Sequence, residues 1–355
     1  MARSHRRPRL IGGTLTGLVG VLAVLLLTAM LPAAHAGFSA VTTNADDAWA
    51  ADWLLPASDL TATYSCSATP IVFRGARQAT GLGILILPTP SGIRAGDLLV
   101  AQVTNATGPD PLTAPAGWNL IRRDSSNPAA PAASAVTSAL FWRTVVDGEP
   151  ATATFVLQNS VDMVGGIAAY RGVRVADPVD ASGAAAGATA TATTPSVSTT
   201  VVDTVLADFT TKAGEALPAP TGTTERWRLA TLTSILGAST GDMPFAGPGA
   251  TPTRSSVSPS GSLNEWVTQT IALRPRLQAA ANLTWTASPS AWGAGYVLER
   301  MVDGTVQAER LLTPMATASA IESSLINNTN YTFRLYAYRG TWRSPAVTTA
   351  LTTAC

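Results

Sequence analysis

The chain has 355 residues, a formal charge of +1 and only 13% charged residues. Four of its arginines lie in a predicted leader, and without them 19 basic residues face 22 acidic ones, which leaves a charge of −3. A nearly neutral chain with no basic run excludes nucleic acid and anionic membrane surfaces as its natural partners.

The N-terminus has the pattern of an export signal. Basic residues precede an apolar run from 10 to 31, and Ala34-His35-Ala36 offers a small-x-small cleavage site. We expect residues 1–36 to be a signal peptide, with an uncleaved membrane anchor as the alternative because the run is long enough to span a bilayer. In both cases the rest of the chain is secreted or displayed at the cell surface, and only this segment meets the membrane.

Both histidines, His5 and His35, belong to this leader. A cleaved chain therefore holds no imidazole, which excludes Ser-His-Asp and Cys-His catalysis and histidine-ligated zinc. We predict no catalytic residue, no metal site and no cofactor.

Residues 37–58 are interpreted as a spacer. The stretches 37–40 (GFSA), 42–45 (TTNA) and 49–51 (WAA) resemble the leader boundary of exported proteins with the SipW-dependent type of signal peptide, known from the TasA and camelysin matrix proteins. An ordinary signal peptide followed by a polar spacer is the alternative.

The first predicted strand covers residues 60–66 (LTATYSC). Leu60, Ala62 and Tyr64 alternate with polar residues, which is the period-two pattern of a strand with one covered face.

A long region of short strands follows, from 68 to 278. Proline, glycine and aspartate divide it, and no amphipathic helix is visible, which favours one larger β-sandwich of jelly-roll-like type. The 152–157 strand is expected to form a hairpin with the 139–145 strand across Asp147-Gly148. The tract from 181 to 194 is either a flexible connection or a thin edge strand. The predicted strands are 83–87, 97–103, 118–123, 139–145, 152–157, 165–171, 204–209, 225–227, 232–236 and 266–273.

This inner region resembles a module of bacterial surface and secreted proteins. The resemblance implies a β-sandwich in an exported protein and implies no reaction. The matching stretches are 93–100 (IRAGDLLV), 114–124 (APAGWNLIRRD), 141–143 (FWR), 166–173 (GIAAYRGV) and 177–180 (DPVD).

Residues 279–355 resemble a fibronectin type III domain that lacks its first strand. Its markers are Trp285 in 283–286 (LTWT), Tyr296 in 295–300 (GYVLER) and Tyr331 in 325–335 (LINNTNYTFRL), where Tyr331 is expected to form the tyrosine corner. The missing strand is supplied by residues 59–67. The resemblance thus implies an all-β chain: a fibronectin type III-like sandwich interrupted by a larger sandwich at 68–278.

The only two cysteines, Cys66 and Cys355, lie at the two ends of this interrupted domain. Cysteines of exported proteins tend to be paired, and the first and last strands of such a sandwich can lie close together. We expect a disulfide between them, with a free or intermolecular thiol as the alternative.

Exposed aromatic rings are the best lead to a ligand. Trp118, Trp142, Trp227 and Trp266 are candidates for stacking against a sugar, with core packing as the alternative. Trp292 and Trp342 are expected to be partly exposed. An outer face with arginine and tyrosine would suit a protein partner, because these residues are common interface anchors. Its members would be Arg334, Tyr336, Tyr338 and Arg339.

We therefore predict a non-enzymatic exported surface or matrix protein that binds a glycan, a cell-wall polymer or a protein in adhesion. One alternative is a structural matrix component that self-associates. Another is a divergent carbohydrate-active enzyme with paired carboxylates. The acidic residues considered for such a pair are Glu149, Asp180, Glu225, Asp242 and Glu265.

Overall fold

The computed structural model describes residues 53–127 and 135–355. The predicted leader, the SipW-type boundary and most of the predicted spacer lie outside the described residues. The described part consists of strands and connections and contains no α-helix, so the all-β prediction is confirmed.

The strands follow one another as a first strand, a long intervening series and a final group. They are β1 (Ser58–Ala68), β2 (Val72–Leu82), β3 (Ile84–Pro88), β4 (Leu98–Asn105), β5 (Leu112–Thr113), β6 (Asn119–Ser125), β7 (Thr137–Thr144), β8 (Thr152–Leu157), β9 (Asp162–Arg171), β10 (Val179–Gly187), β11 (Thr191–Thr193), β12 (Ser198–Thr199), β13 (Thr204–Ala213), β14 (Thr224–Ala230), β15 (Leu236–Phe245), β16 (Gly249–Ala250), β17 (Ser255–Val257), β18 (Trp266–Leu273), β19 (Leu277–Thr286), β20 (Gly295–Val302), β21 (Thr305–Leu312), β22 (Ser319–Leu325), β23 (Asn330–Arg339), β24 (Trp342–Arg343) and β25 (Val347–Thr352).

Strand β1 and strands β19 to β25 form one sandwich, which we call the split sandwich. One sheet has the order β1-β19-β22, and the other has β21-β20-β23 with β24 and β25 both paired to β23. This is the strand order of a fibronectin type III domain. Its core lies between the sheets and includes Leu283, Trp285, Tyr296 and Phe333. The predicted fold, an interrupted fibronectin type III-like sandwich, is confirmed.

The insert, strands β2 to β18, leaves and re-enters the split sandwich at one place. β1 pairs antiparallel with β19, with Cys66 opposite Ala279. Just beyond them the outgoing and returning segments are joined, because Thr69 N–H donates to Arg276 O at 2.7 Å. Arg276 N–H in turn donates to Gly172 O at 2.7 Å. The two ends of the insert are therefore adjacent, which is the geometry that lets a domain be inserted into a loop.

Residues 53–57, which belong to the predicted spacer, pack onto the split sandwich. Leu55 N–H donates to Ser290 Oγ at 3.0 Å, and Ser288 Oγ donates to Leu55 O at 2.6 Å. Ala57 is buried in the core. The interpretation as a free linker is wrong for these residues, because their apolar side chains and backbone groups find partners in the sandwich.

The insert has a central sheet, β2-β9-β4-β7-β6, that is covered on both faces. Leu98 and Val100 of β4 pack against the five-stranded sheet β10-β18-β13-β15-β14. Leu99 and Ala101 of the same strand pack against β3 and β8. Because β4 is apolar on both faces, it suits a strand in the middle of a three-layer stack.

The third layer, β3-β8-β5, is reached by a fold in the sheet at Gly83. Only Leu82 and Ile84 pair between β2 and β3, and Gly83 takes a φ of 68° at this sharp turn. The expected hairpin across Asp147-Gly148 is therefore wrong: β7 pairs with β4 and β6, while β8 pairs with β3 and β5. Because β4 and β6 already occupy both edges of β7, the chain after the turn at Asp147-Gly148 passes into the third layer, where it forms β8.

One other predicted segment differs from the structure, and a second agrees with one of its two alternatives. Leu232 lies fully exposed in a turn, and the strand predicted at 232–236 begins only at Leu236, because Thr231 Oγ1 accepts hydrogen bonds from the turn backbone. Residues 179–187 form the edge strand β10, which pairs with β18. This agrees with the thin edge strand, one of the two alternatives that the sequence predicts for 181–194.

Buried polar groups fix the register of the insert. Between the central and five-stranded sheets, Ser138 Oγ donates to Gln269 Oε1 at 2.8 Å, and Gln102 Nε2 donates to Thr211 Oγ1 at 3.1 Å. All of these side chains are buried. A register slip would leave them without partners in a low-dielectric interior, which is costly.

Cys66 and Cys355 form a disulfide, with their Cα atoms 5.8 Å apart. The bond ties the end of β1 to the chain just after β25. The predicted pairing is confirmed, and it closes the split sandwich at the side where the insert leaves.

Replacing Cys66 and Cys355 with alanine should lower the free energy of unfolding of the split sandwich by about 2–4 kcal/mol, because the unfolded chain regains the freedom that the bond removes. Urea unfolding followed by near-UV circular dichroism measures this change. The insert transition serves as an internal control and should keep its midpoint. An unchanged midpoint for the split sandwich would contradict a clasping role for the disulfide.

Candidate functional site

The four predicted stacking tryptophans lie in four separate apolar clusters. Trp118 packs edge-to-face on Phe155 with ring centroids 5.6 Å apart, while Trp142 is half-buried beside the core between the central and five-stranded sheets. Trp227 and Trp266 are buried, at 4% and 6% exposure. The structure therefore brings no two of these rings together on one surface. A stacking role stays a prediction for Trp118 and Trp142.

Glycines make the space that buries Trp227 and Trp266. A Cβ atom on Gly166 would lie 2.4 Å from the Trp227 ring, and one on Gly187 would lie 2.5 Å from the Trp266 ring. Trp266 Nε1 also donates to Thr189 Oγ1 at 3.0 Å. Neither ring has a face open to a ligand, so the stacking prediction is wrong for these two residues.

The three aromatic markers of the split sandwich have structural contacts. Trp285 and Tyr296 pack edge-to-face at 5.5 Å, and the Tyr296 hydroxyl donates to Met315 O at 3.0 Å. The Tyr331 hydroxyl accepts a hydrogen bond from Ile326 N–H at 2.9 Å. This last contact is the geometry of a tyrosine corner.

The five acidic residues considered for catalysis each have a separate partner. Such pairing turns each carboxylate toward its own partner. In the described part of the chain, no group of three or more His, Cys, Asp or Glu side chains is placed to hold a metal ion. The pairs are Glu149 with Arg143, Asp180 with Arg274, Glu225 with Arg228, Asp242 with Arg226 and Glu265 with Ser126.

A surface rich in arginine and aromatic residues covers the outer side of the β21-β20-β23 sheet. The alternation of β23 creates it, since Phe333, Leu335 and Ala337 are buried in the core while their neighbours point outward. We call it the arginine–aromatic face. Its outward-facing members are Arg334, Tyr336, Tyr338 and Arg343, and we include Arg339, Trp342 and Trp292, which lie at the end of the same sheet.

Tyr336 lies between two guanidinium groups on this face. The Cζ atoms of Arg334 and Arg343 lie 5.9 and 5.4 Å from the centre of its ring. Glu299 of β20 holds both arginines, with N···O distances of 2.6 Å to Arg334 and 3.2 Å to Arg343. Each of these cation–π contacts contributes modestly, but the shared carboxylate orders the three side chains together.

A second pair extends the face toward the end of the sheet. Arg339 Nη1 donates to Trp292 O at 2.6 Å, and its guanidinium lies 5.6 Å from the centre of the Trp292 ring. Trp342 pairs with Arg339 across the turn at Gly340 and is 65% exposed. A large exposed ring beside ordered arginines has the composition of an interface hot spot.

Electrostatics keep the face in one protonation state. Burial, and after it the nearby Glu299 carboxylate, raise the pKa of the Tyr336 hydroxyl above its ordinary value. A hydrogen bond to Glu309 raises the pKa of Arg343. Tyr336 therefore stays neutral and Arg343 stays charged well above neutral pH.

Part of this face is visible in the sequence and part is not. The outward positions of Arg334, Tyr336 and Tyr338 follow from alternation along β23. The contributions of Arg343 and Glu299 depend on which strands flank β23, and only the register of the folded sheet reveals them.

Comparisons with known proteins add little. No protein-family model and no curated protein matches the chain.

Among the described residues, no helix is long and apolar enough to cross a membrane.

Three solved structures illustrate the matches found by fold. A two-domain fibronectin type III segment of chicken tenascin is 11% identical, with 50% of this chain and 99% of that chain covered and a TM-score of 0.19. The FN1–FN3 domains of chicken CNTN1 are 11% identical, with 81% and 100% covered and a TM-score of 0.19. A segment of titin domains is 11% identical, with 84% and 100% covered and a TM-score of 0.18. Superposition at this level carries no argument about this chain.

Replacing Glu299 with glutamine should lower the pKa of Tyr336 toward its ordinary value. The substitution removes the negative charge that disfavours the phenolate but keeps the amide as a hydrogen-bond acceptor. Alkaline titration of phenolate absorbance, taken as the difference between variant and parent, measures the shift. Glu322→Gln is the matched control, since Glu322 contacts Arg300 and Arg310 instead. A titration identical to that of the parent would contradict the coupling.

Proposed function

We propose that the chain is a non-catalytic exported surface or matrix protein that binds a protein partner through the arginine–aromatic face. The observation that carries the proposal is the set of ordered arginines around Tyr336, together with the 65% exposure of Trp342. A protein partner would bury Trp342 and pair its own acidic groups with the arginines.

The order of the face supports binding. A side chain that is already held in one rotamer loses little conformational entropy when a partner arrives. Glu299, which is only 6% exposed, holds Arg334 and Arg343 in place before any partner is present. The arginine–aromatic face can therefore bind a partner without a large rearrangement of its side chains.

Export is part of the proposal. The disulfide between Cys66 and Cys355 is of a kind that persists in oxidising compartments, and the leader pattern at 1–36 supports the same location. We propose a division into residues 59–67 and 279–355 for the split sandwich and 68–278 for the insert, with adhesion as the role of the whole.

Self-assembly through open strand edges has less support. Arg310 of β21 donates to Ile321 O of the facing edge strand β22 at 3.2 Å and pairs with Glu322. In the insert, Arg122 of β6 contacts Ser182 of edge strand β10. Charged side chains that cover edge groups are a common defence against edge-to-edge pairing.

Replacing Trp342 with alanine should weaken partner binding by tenfold or more, because exposed tryptophans at the centre of an interface commonly contribute this much. The full oxidised chain on beads, incubated with an extracellular matrix extract, would enrich the partner for identification by mass spectrometry. Binding of the purified partner to parent and variant chains would then be compared by surface plasmon resonance.

Tyr64→Ala provides the matched control. Tyr64 is also an exposed aromatic residue, 46% accessible, but it lies on β1 in the opposite sheet. Its loss should leave the affinity unchanged. The proposal would be contradicted if both substitutions lowered the affinity equally, or if the parent chain enriched no protein.

A further inference from the structure

A pocket of about 430 Å³ lies where the insert joins the split sandwich. Arg174 and Arg276 line it from the junction, and Gln278 lines it from the start of β19. The opposite wall is the loop that leads from β22 into β23, with Ser324 and Ile326. A ligand in this pocket would touch both modules.

Two arginines of this pocket have no acidic partner. In the described part of the chain, neither the Arg174 nor the Arg276 guanidinium has a hydrogen bond or an ion pair with the protein, although most other arginines are paired. Both are exposed. No Asp or Glu lines the pocket. The two guanidinium groups outnumber the one α-carboxylate at this pocket, that of Cys355, so the local charge is positive.

The backbone directs the two arginines to the same side. Val173 and Pro275 form an antiparallel bridge, so Arg174 lies opposite Arg274 and Arg276 lies two positions farther along. Such diagonal neighbours share one face and lie about 7–8 Å apart, with their Cβ atoms somewhat closer, so two long side chains can reach the same ligand. Arg274 differs from both, since it is neutralised by Asp177 and Asp180.

The loop that forms the opposite wall is held in place before any ligand binds. The Tyr331 hydroxyl accepts from Ile326 N–H at 2.9 Å, and Thr353 Oγ1 donates to Ile326 O at 2.7 Å. Asn327 Oδ1 accepts from Cys355 N–H at 2.5 Å. These contacts leave the Ile326 side chain 71% exposed beside the pocket. Preformed pockets with a few convergent polar groups are typical of ligand sites.

We propose that this junction pocket binds a carboxylate-bearing sugar unit of an acidic polysaccharide. A guanidinium matches a carboxylate with two parallel hydrogen bonds, so Arg174 and Arg276 recognise the acid group. Ile326 and Leu277, which is 41% exposed, cover the apolar face of the ring. Gln278 and Ser324 supply neutral hydrogen bonds for its hydroxyls. A bare anion would use only the arginines.

The site is separate from the arginine–aromatic face and does not rest on the proposed protein binding. Trp342→Ala should leave sugar binding intact, and loss of Arg174 should leave protein binding intact. Failure of one proposal can therefore be distinguished from failure of the other.

Isothermal titration of the full oxidised chain with trigalacturonate tests the proposal, with maltotriose as the neutral trisaccharide and inorganic phosphate as the bare anion. We expect saturable binding of trigalacturonate that weakens with added salt, and none of maltotriose. Arg174→Ala and Arg276→Ala should each weaken it about tenfold or more, because each removes charged hydrogen bonds. Ile326→Ser should weaken trigalacturonate binding without changing any phosphate binding.

Arg77→Ala is the matched control. It removes one exposed arginine from the insert, and among the described residues the only side-chain hydrogen bond of Arg77 goes to the carbonyl of the adjacent Ala76. Its affinity for trigalacturonate should equal that of the parent. The proposal is overturned by absent binding, by equal binding of maltotriose, by equal loss in Arg77→Ala, or by phosphate binding as tightly as trigalacturonate. Circular dichroism of each variant checks that the fold is retained.

Discussion

The antiparallel pairing of β1 with β19 is the constraint on which the rest of the structure depends. β1 supplies the first strand of the split sandwich, and it must find β19 although the whole insert lies between them. Closing so long a loop is costly in entropy, but a folded insert with adjacent ends reduces that cost. The disulfide between Cys66 and Cys355 also ties β1 to the chain that follows β25, in the other sheet.

The geometry of the junction between the insert and the split sandwich follows from this pairing. Arg276, in the returning segment, lies between Thr69 and Gly172, with its carbonyl and its N–H both used in backbone hydrogen bonds. Its side chain is exposed and lines the pocket. The tyrosine corner at Tyr331 fixes the facing loop, so a contact between two modules becomes a shaped pocket.

The two candidate surfaces use arginine in different ways. On the arginine–aromatic face, Glu299 orders Arg334 and Arg343, so the surface offers flat, rigid contacts to a protein. At the junction, Arg174 and Arg276 have no acidic side-chain partner among the described residues and can bind an acidic ligand directly. Burial of Trp227 and Trp266 removes two of the four rings that the sequence predicts as sugar platforms, and the other two, Trp118 and Trp142, lie in separate clusters, so the junction is the better site for a saccharide.

The sequence by itself determined what depends on local pattern. Alternation located β1 and β23, division by proline, glycine and aspartate located β4 and β18, the spacing around Trp285 and Tyr331 identified the split sandwich, and two cysteines allowed one intramolecular pair. Only the tertiary structure shows which strands pair and which layers pack against one another. Alternation shows that a strand has a covered face, but not which strand covers it: β8 pairs with β3 instead of β7, and Gly166 and Gly187 admit two tryptophan rings into the core. The meeting of Arg174 and Arg276, far apart in the chain, likewise follows from the register at one bridge.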